Sequence, residues 1–190
     1  MNIKIPKTQV ALHPLIAKRW SPLAFSERRI EKDTMDELFT AASWAASAYN
    51  EQPWRYYYAQ RGSQSFDDLW SCLAKGNQPW TRDAAILLVA CTTISFSAND
   101  KINSNASHDL GMANAQLLLQ AVHRDIYGHL MAGFDKEKVT QYLNLDANTN
   151  VVCVGALGYM GTPEQLEGNY RTRELKARSR NSLDQFVIKL

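Results

Sequence analysis

The chain has 190 residues, of which 45% are hydrophobic and 21% charged, with a formal net charge of +2 at pH 7. These values are ordinary for a globular protein, and so small a net charge argues against nucleic acid or an anionic membrane as a general partner. No apolar run reaches transmembrane length, no signal peptide is apparent, and the three cysteines form no CxxC pair. We therefore expect one cytoplasmic domain over residues 1–190, with no membrane or nucleic-acid partner.

The predicted elements alternate between helices and strands. Residues 1–18 lack clear periodicity and are expected to wrap the surface, whereas helical spacing or short β-leaning apolar runs define the rest. The predicted helices are Thr34–Ser47 with Asp33 as its cap, Ser65–Ala74, Asp109–Ile126, and one from an Asp135 cap through Leu143. The predicted strands are Trp54–Gln60, Ala84–Thr93, Tyr127–Met131, Val151–Tyr159 and a terminal Gln185–Leu190. This order predicts an α/β domain with helices on both faces of one sheet.

The chain lacks the motifs of common catalytic and nucleotide-binding sites. There is no GxGxxG, P-loop, HExxH or GxSxG pattern. The four histidines, His13, His108, His123 and His129, are scattered, and each is more often a surface or core residue than a catalyst. If the protein is an enzyme, a bound cofactor is therefore expected to carry the chemistry.

Two basic segments from distant parts of the chain could meet at one phosphate. Arg178 and Arg180 have the i, i+2 spacing that projects side chains to one side of an extended segment, and Arg19 and Ser21 repeat it. Guanidinium groups match phosphate oxygens bidentately. Spacing alone nevertheless favours the alternative that these residues are solvated surface charges, because Arg-x-Arg is a weak motif.

The turn from Asn50 to Arg55 carries amide side chains just before a predicted strand. Asn50 and Gln52 each offer donors and acceptors that could read the polar edge of a heterocycle. The alternative is ordinary helix-to-strand turn chemistry with Trp54 in the core.

With these segments in view, the chain resembles the FMN-dependent nitroreductase family. The matching segments follow the family's order: RWSPLAF (Arg19–Phe25), AASWAASAYNEQPWRYYYA (Ala41–Ala59), GNQPWTRDAAILLVA (Gly76–Ala90), HDLGMANAQLLLQA (His108–Ala121), HLMAGFD (His129–Asp135) and the region Val154–Arg180. The resemblance implies a nitroreductase-like α+β sandwich, in which helices flank a central, mostly antiparallel mixed sheet. It also implies an obligate homodimer with two FMN sites at the interface, where residues 186–190 could add to the partner's sheet.

The resemblance also assigns roles to individual residues. It places Arg19 and Ser21 at the phosphate and ribityl chain, Arg178 and Arg180 at the same phosphate, and Asn77 on the pyrimidine side of the flavin. Backbone groups of Ala132 and Gly133 would approach flavin N5 and O4. The full implied set of cofactor-binding residues is Arg19, Trp20, Ser21, Ala46, Ser47, Asn50, Asn77, Ala132, Gly133, Arg178 and Arg180. Ala46, Ser47 and Asn50 would act on the flavin of the second subunit.

Several positions depart from the family pattern. Leu23 stands where members usually have Arg or Lys near flavin N1 and O2, so the flavin should be harder to reduce unless another cation, such as Arg82, reaches in. Ala46 and Ala48 replace the usual Pro and second Ser, and Asp125 stands where glycine commonly follows the long helix. The loop Ser95–Ser107 is too short for the helical insertion of larger members, so the substrate face is expected to be more open.

The function implied is an FMN oxidoreductase working by a ping-pong scheme. NAD(P)H would deliver hydride to flavin N5, and a nitroaromatic, quinone or related electron-poor acceptor would then take it. Two alternatives stay open: the same fold with another reaction, such as alkene reduction, dehalogenation or flavin breakdown, and a non-enzymatic flavin-binding dimer. The sequence distinguishes neither NADH from NADPH nor one acceptor from another.

Overall fold

The computed structural model describes residues 4–6 and 8–190. The helices are α1 (Pro14–Lys18), α2 (Lys32–Ser43), α3 (Gln64–Ser71), α4 (Gln78–Thr81), α5 (Ala106–His123), α6 (Lys136–Tyr142) and α7 (Gly168–Leu175). The strands are β1 (Trp54–Gln60), β2 (Ile86–Thr93), β3 (Ile126–Met131) and β4 (Thr149–Tyr159). Short 3-10 turns lie at Ala48–Asn50, Pro163–Gln165 and Leu183–Gln185.

The four strands form one sheet in the order β1-β2-β4-β3, and each neighbouring pair is antiparallel. β2 lies in the interior of the sheet, and its residues from Ile86 to Cys91 are fully buried. The side chains of a strand alternate between faces, so a run of consecutive apolar residues implies cover on both faces. The predicted sandwich with a mostly antiparallel sheet flanked by helices is thereby confirmed.

Each face of the sheet packs against its own set of helices. On one face, α3 contributes Phe66 and Leu69, α4 contributes Trp80, and α6 contributes Val139 to a common apolar core. On the other face, α2 and α5 form a second core; its buried members from these two helices are Met35, Leu38, Ala42, Leu110, Ala113, Leu117, Leu118 and Ala121. The two cores hold the sheet edge at β3 rigidly, and the segments around the candidate site are attached to that edge.

Most predicted elements are confirmed, with shifted ends. β1 has the predicted bounds, and Asp135 caps α6 by accepting a hydrogen bond from the Lys138 amide at 3.1 Å. The helix predicted to end at Ser47 ends instead at Ser43, where the chain turns. Beyond the turn, the Asp109 carboxylate accepts the Ala48 amide proton at 3.0 Å. The long helix starts three residues earlier than predicted, at Ala106, and Ile126 belongs to β3.

The predicted terminal strand is wrong for the isolated chain. Residues 186–190 form no strand, and Phe186, Val187 and Ile188 are exposed. A strand needs a neighbour for its backbone N–H and C=O groups, and an alternating apolar pattern cannot supply one. Residues 1–18 also contain the unpredicted helix α1, while residues 1–3 and 7 lie outside the described part. No helix within 4–6 and 8–190 combines the length and apolar character that a membrane crossing requires.

Candidate functional site

A basic cleft of about 320 Å³ lies where the N-terminal segment meets α7 and the residues that follow it. Six cationic side chains line it: Lys4, Arg19, Arg173, Lys176, Arg178 and Arg180. Ser21 and Glu174 add a hydroxyl and a carboxylate. The structure thus brings the pair Arg19 and Ser21 next to the pair Arg178 and Arg180, although more than 150 residues separate the two pairs in the sequence.

Local backbone geometry positions the residues on the N-terminal side of the cleft. Arg19 ends α1 in an extended conformation, and its amide donates to the Leu15 carbonyl at 2.9 Å. Its side chain donates to Ser21 Oγ at 3.5 Å. Trp20 is buried and packs edge-on against Tyr127, with ring centroids 6.5 Å apart. Arg19, Trp20 and Ser21 all line the cleft, and Trp20, which is buried, anchors the segment to the core behind it.

Arg178 ties the C-terminal side of the cleft to the N-terminal segment. Its Nη1 donates to the carbonyl of Lys4 at 2.9 Å and to that of Ala17 at 2.6 Å. Lys4 in turn donates to the Lys176 carbonyl at 2.7 Å, and its ammonium lies 4.3 Å from the Trp20 ring centroid. One guanidinium nitrogen of Arg178 is thus used structurally, and the rest of the group remains available to an anion.

The charges in the cleft are not balanced by protein carboxylates. None of the six cations forms an ion pair with an acidic side chain of the described residues. Burial lowers the pKa of Arg19, and the neighbouring Arg180 lowers it further. Burial also lowers the pKa of Arg178, with Arg19 and Arg180 adding to the effect. Such mutual repulsion is relieved when an anion binds.

His129 lines the cleft from β3. Its Nδ1 lies 2.9 Å from the Pro22 carbonyl, an acceptor only, so Nδ1 carries the proton and donates. Burial lowers the pKa of His129; the bond to Pro22 opposes this, and the charges of Arg173 and Arg19 reinforce it. In the resulting neutral ring, Nε2 is an acceptor. The ring centroid lies 4.6 Å from that of Trp80, which holds its orientation.

Glu174 and Leu23 meet at the floor of the cleft. Both are buried, and the Leu23 amide donates to Glu174 Oε2 at 2.8 Å. Burial raises the pKa of Glu174, while hydrogen bonds from the Leu23 and Ala24 amides and the charge of Lys4 lower it. Arg82 does not line this cleft; it pairs with Asp67 at 2.6 Å and lies over Trp70. The cations that share the cleft with Leu23 are instead the six named above.

A second polar region adjoins the cleft where β3 ends. Asn77 Nδ2 donates to the Gly133 carbonyl at 2.9 Å, which orients its side-chain oxygen as an acceptor. The Gly133 amide donates to no acceptor among the described residues. A Cβ at Gly133 would lie 2.6 Å from Asn77 Nδ2, so the close approach of these two groups requires glycine. Asn77, Ala132 and Gly133 are therefore brought together.

Two connections show that this region and the basic cleft are neighbours. Gly133 follows His129 by four residues along the chain, or roughly 13 Å of extended backbone. α7 also contacts both regions, since the Tyr170 hydroxyl donates to the Gly76 carbonyl at 3.0 Å while Arg173 and Glu174 line the cleft one turn later. A single elongated ligand could therefore reach from one region to the other.

The segment Ala46–Asn50 is not part of the cleft in the single chain. Ala46 and Asn50 are exposed, and the Ser47 hydroxyl accepts the Gln52 amide proton at 3.0 Å. Tyr49, Asn50 and Gln52 have φ angles of 52°, 57° and 50°, in the left-handed region. Ala46, Ser47 and Asn50 are therefore the predicted site residues that do not lie with the rest of the predicted site in the single chain.

The sequence predictions missed His129, Ala177 and four charged residues of the cleft, Lys4, Arg173, Glu174 and Lys176. The four charged residues occupy segments without periodicity or motif, although Arg173 belongs to a charged run and stands only five residues before Arg178.

The structure explains one departure from the family pattern, the aspartate at position 125. Its φ is 59°, a value that favours glycine, and an ion pair with Lys18 holds the aspartate there.

Comparison with known proteins gives consistent matches. The sequence model of the Nitroreductase family matches residues 16–159. A crystal structure of an oxidoreductase containing FMN is 28% identical, with a TM-score of 0.91 over 96% of this chain and 93% of that chain. A Desulfovibrio desulfuricans protein described as a nitroreductase, in complex with FMN, is 18% identical with a TM-score of 0.74 over 95% and 98%, a likeness of fold. The uncharacterized 15.4 kDa protein in the ask 5' region of Mycolicibacterium smegmatis is 28% identical over 130 residues, which are 68% of this chain and 86% of that protein.

Proposed function

The chain belongs to the nitroreductase family, and from that premise we propose that it is a homodimeric, FMN-dependent oxidoreductase formed by a single domain over residues 1–190. The observation that carries the proposal is the convergence of Arg19, Ser21, Arg178 and Arg180 on one basic cleft next to Asn77 and Gly133. The 28% identical oxidoreductase containing FMN, which shares almost the whole fold, supports the same cofactor.

The residues of the cleft fit the phosphate and ribityl chain of FMN. Guanidinium groups and a hydroxyl are the donors that phosphate oxygens prefer. Burial, and next the charge of neighbouring guanidinium groups, lowers the pKa of Arg19 and of Arg178. We propose that Arg19, Ser21, Arg178 and Arg180 hold the phosphate and that Trp20 supports them from the core. Nε2 of His129, as an acceptor among cations, would suit a ribityl hydroxyl.

The Asn77–Gly133 region fits the polar edge of a flavin ring. The side-chain oxygen of Asn77 is an acceptor for a ring N–H, and the amide of Gly133 is a donor without an internal partner among the described residues. Backbone groups of Ala132 and Gly133 would therefore orient the ring. Bound FMN would supply the hydride-transfer chemistry, with electrons drawn from NAD(P)H and passed to a nitroaromatic, quinone or similar acceptor.

A second subunit would complete the site. We propose that Ala46, Ser47 and Asn50 lie against the flavin of the partner. This accounts for the exposure of Ala46 and Asn50 and for the absence of all three residues from the lining of the cleft in their own chain. The exposed apolar residues Leu183, Phe186, Val187 and Ile188 would pack on that partner. Removing residues 183–190 should then convert a dimer to a monomer in sedimentation experiments.

Leu23 motivates a second candidate reaction in the same fold. A buried leucine beside the Glu174 carboxylate offers no positive charge to a reduced flavin, so the cofactor is expected to be harder to reduce than in members with a cation there. A cation of the cleft, such as Arg173, would have to replace it in part. Alkene reduction, dehalogenation or flavin breakdown are therefore kept as alternatives to nitro and quinone reduction.

The test begins with the visible absorbance spectrum of the purified protein and identification of the chromophore released by denaturation. FMN-loaded protein is then mixed anaerobically with NADH or NADPH, and the rates of flavin bleaching and of reoxidation by a quinone and a nitroaromatic are recorded. Bleaching followed by rapid reoxidation supports the leading function. Failure to bind added FMN refutes the proposal, and binding without reduction favours the non-enzymatic dimer.

A further inference from the structure

The basic cleft holds more positive charge than one FMN phosphate needs. Six cations and one carboxylate line it, a formal charge of +5, although the whole chain carries only +2. A phosphate monoester at pH 7 carries about −2. With that group bound, a surplus of about three positive charges remains in one cleft of about 320 Å³.

The surplus charge has a defined position. Arg19 and Arg178 are half-buried, whereas Arg173 and Lys176, on α7 and at its C-terminal end, are exposed and line the same cleft. Neither Arg173 nor Lys176 forms an ion pair with an acidic side chain of the described residues. By contrast, Arg171 on the same helix lies 3.9 Å from Glu164. The cations of α7 that line the cleft are thus the ones left without a protein anion.

Glu174 does not neutralise them. Its carboxylate accepts the Leu23 amide at 2.8 Å, which turns it toward the backbone beneath the cleft. The alternative is that Arg173 and Lys176 only interact favourably with the negative end of the α7 dipole, which requires no ligand. The two explanations differ in what happens to anion binding when the cations are removed.

We propose that Arg173 and Lys176 form a second phosphate subsite, beside the one formed by Arg19, Ser21, Arg178 and Arg180. This inference rests on the proposed FMN site and names a further ligand for it. The second subsite binds a phosphate group that belongs either to a dinucleotide flavin or to a separately bound nucleotide substrate. Both sources present the same chemistry, anionic phosphate oxygens that accept charge-assisted hydrogen bonds next to the flavin phosphate.

The experiment titrates inorganic pyrophosphate into FMN-loaded protein by calorimetry at constant ionic strength. The test variant is Arg173→Gln with Lys176→Gln. The matched control is Arg171→Gln with Lys101→Gln, which removes the same charge from positions that do not line the cleft. FMN affinity and thermal melting are measured first on all three proteins.

We expect pyrophosphate to bind the FMN-loaded wild type without displacing FMN. The cleft variant should weaken pyrophosphate binding at least about tenfold, because charge-assisted bonds are lost, and the control by less than about twofold. FMN affinity should fall by a smaller factor than pyrophosphate affinity. No binding on top of FMN, displacement of FMN, or equal weakening in both variants would overturn the subsite.

Further measurements identify the molecule that supplies the second phosphate and cover the case in which the double variant does not fold. If FAD binds more tightly than FMN and blocks pyrophosphate, the second phosphate belongs to a dinucleotide flavin; competition between NADPH and pyrophosphate on FMN-loaded protein assigns it to a separate nucleotide. Should the double variant fail to fold, Lys176→Gln alone is compared with Lys101→Gln. If the protein takes up no FMN, the proposed function fails, and the same titration of flavin-free protein still decides the subsite by whether the cleft variant differs from the control.

Discussion

The basic cleft and the Ala46–Asn50 segment are both parts of the proposed flavin site, yet the single chain treats them differently. The cleft is tied together internally, since Arg178 bridges the carbonyls of Lys4 and Ala17, and Glu174 holds the Leu23 amide. The Ala46–Asn50 segment makes mostly local turn contacts, and Asp109, which accepts the Ala48 amide proton, ties it to the distant helix α5. Beyond that point it presents Tyr49 with 93% of its surface exposed.

The contrast separates what one chain can complete from what needs a second surface. Two left-handed residues in succession, Tyr49 and Asn50, carry a conformational cost. Within the described residues the contacts that offset it include the edge-on packing of Tyr49 against Phe96, with ring centroids 5.8 Å apart, and the hydrogen bond from the Asn50 amide to the Ser47 carbonyl. Trp44, 81% exposed, stands at the start of the same turn. A strained and apolar segment of this kind is typical of a surface completed by assembly, whereas the cleft awaits only a ligand.

The largest effect is expected from removing the cations of the cleft. Arg19→Ala with Arg180→Ala should weaken FMN binding by about 3–6 kcal/mol, because each charge-assisted hydrogen bond contributes about 1.5–3 kcal/mol. Fluorescence titration of FMN measures this change. Arg29→Ala with Lys101→Ala removes the same charge from exposed positions and serves as the control. An equal loss of FMN affinity in the control would show that the overall charge of the protein, and not the cleft, determines binding.

Arg178 is a less suitable probe of cofactor binding alone. Its substitution would also break the bonds to Lys4 and Ala17, so a loss of FMN affinity in Arg178→Ala mixes binding with local structure. For this reason the preceding test keeps Arg178 in place.

The anchor of the Ala46–Asn50 segment should have a smaller effect, and on stability first. Asp109 is buried, and Asp109→Ala would leave the Ala48 amide without its acceptor, costing about 1–3 kcal/mol in the free energy of unfolding. Asp109→Asn retains an acceptor oxygen and should lose less. Urea unfolding compares the two; equal losses would show that the charge of the carboxylate, rather than this hydrogen bond, matters.

Relief of strain at Tyr49 should act in opposite directions on the chain and on its assembly. Tyr49→Gly suits a φ of 52° and should stabilise the isolated chain by about 1 kcal/mol. The same change removes an exposed aromatic ring and should weaken self-association. Thermal melting at low concentration and sedimentation at high concentration separate the two effects. A variant that assembles as tightly as the wild type would remove this segment from the proposed interface.

The smallest effect concerns the pH dependence of stability. Because burial lowers the pKa of His129, the unfolded chain binds its proton more readily than the folded chain does. Stability from this group is therefore present above about pH 6.5 and is lost as the pH falls toward the folded-state value. His129→Gln should flatten this part of the profile, measured by urea unfolding at several pH values. An unchanged slope would assign the pH dependence to other groups.

Patterns within short segments predicted the fold well. Trp54–Gln60 was located to the residue because a proline precedes an aromatic, β-leaning run, and the buried strand β2 was visible as an apolar run. The end of α2 was not predictable in this way: the chain turns after Ser43, and the residues that follow are held by a contact of Ala48 with Asp109, some sixty residues later. The tail could not be settled either, because an apolar alternation says nothing about which strand edge is available.

The candidate site was predictable only where the family resemblance reached. Arg19, Ser21, Arg178 and Arg180 were named, and the structure places them in one cleft, while their role in binding FMN stays a prediction. Arg173 and Lys176 carry no motif, and their importance appears only when the cleft is assembled and its charge counted. His129 was set aside as one histidine among four, since only the fold reveals that Pro22 fixes its tautomer.

The bridge from Arg178 to the carbonyls of Lys4 and Ala17 has a further consequence for the lifetime of the protein. These bonds link the segments on the two sides of the cleft, so local fraying of one would weaken the attachment of the other. An anion that neutralises the crowded guanidinium groups would suppress this opening on both sides at once. Resistance to proteases at residues near 4–19 and near 173–180 should therefore rise and fall together, as a report of whether the cleft is filled.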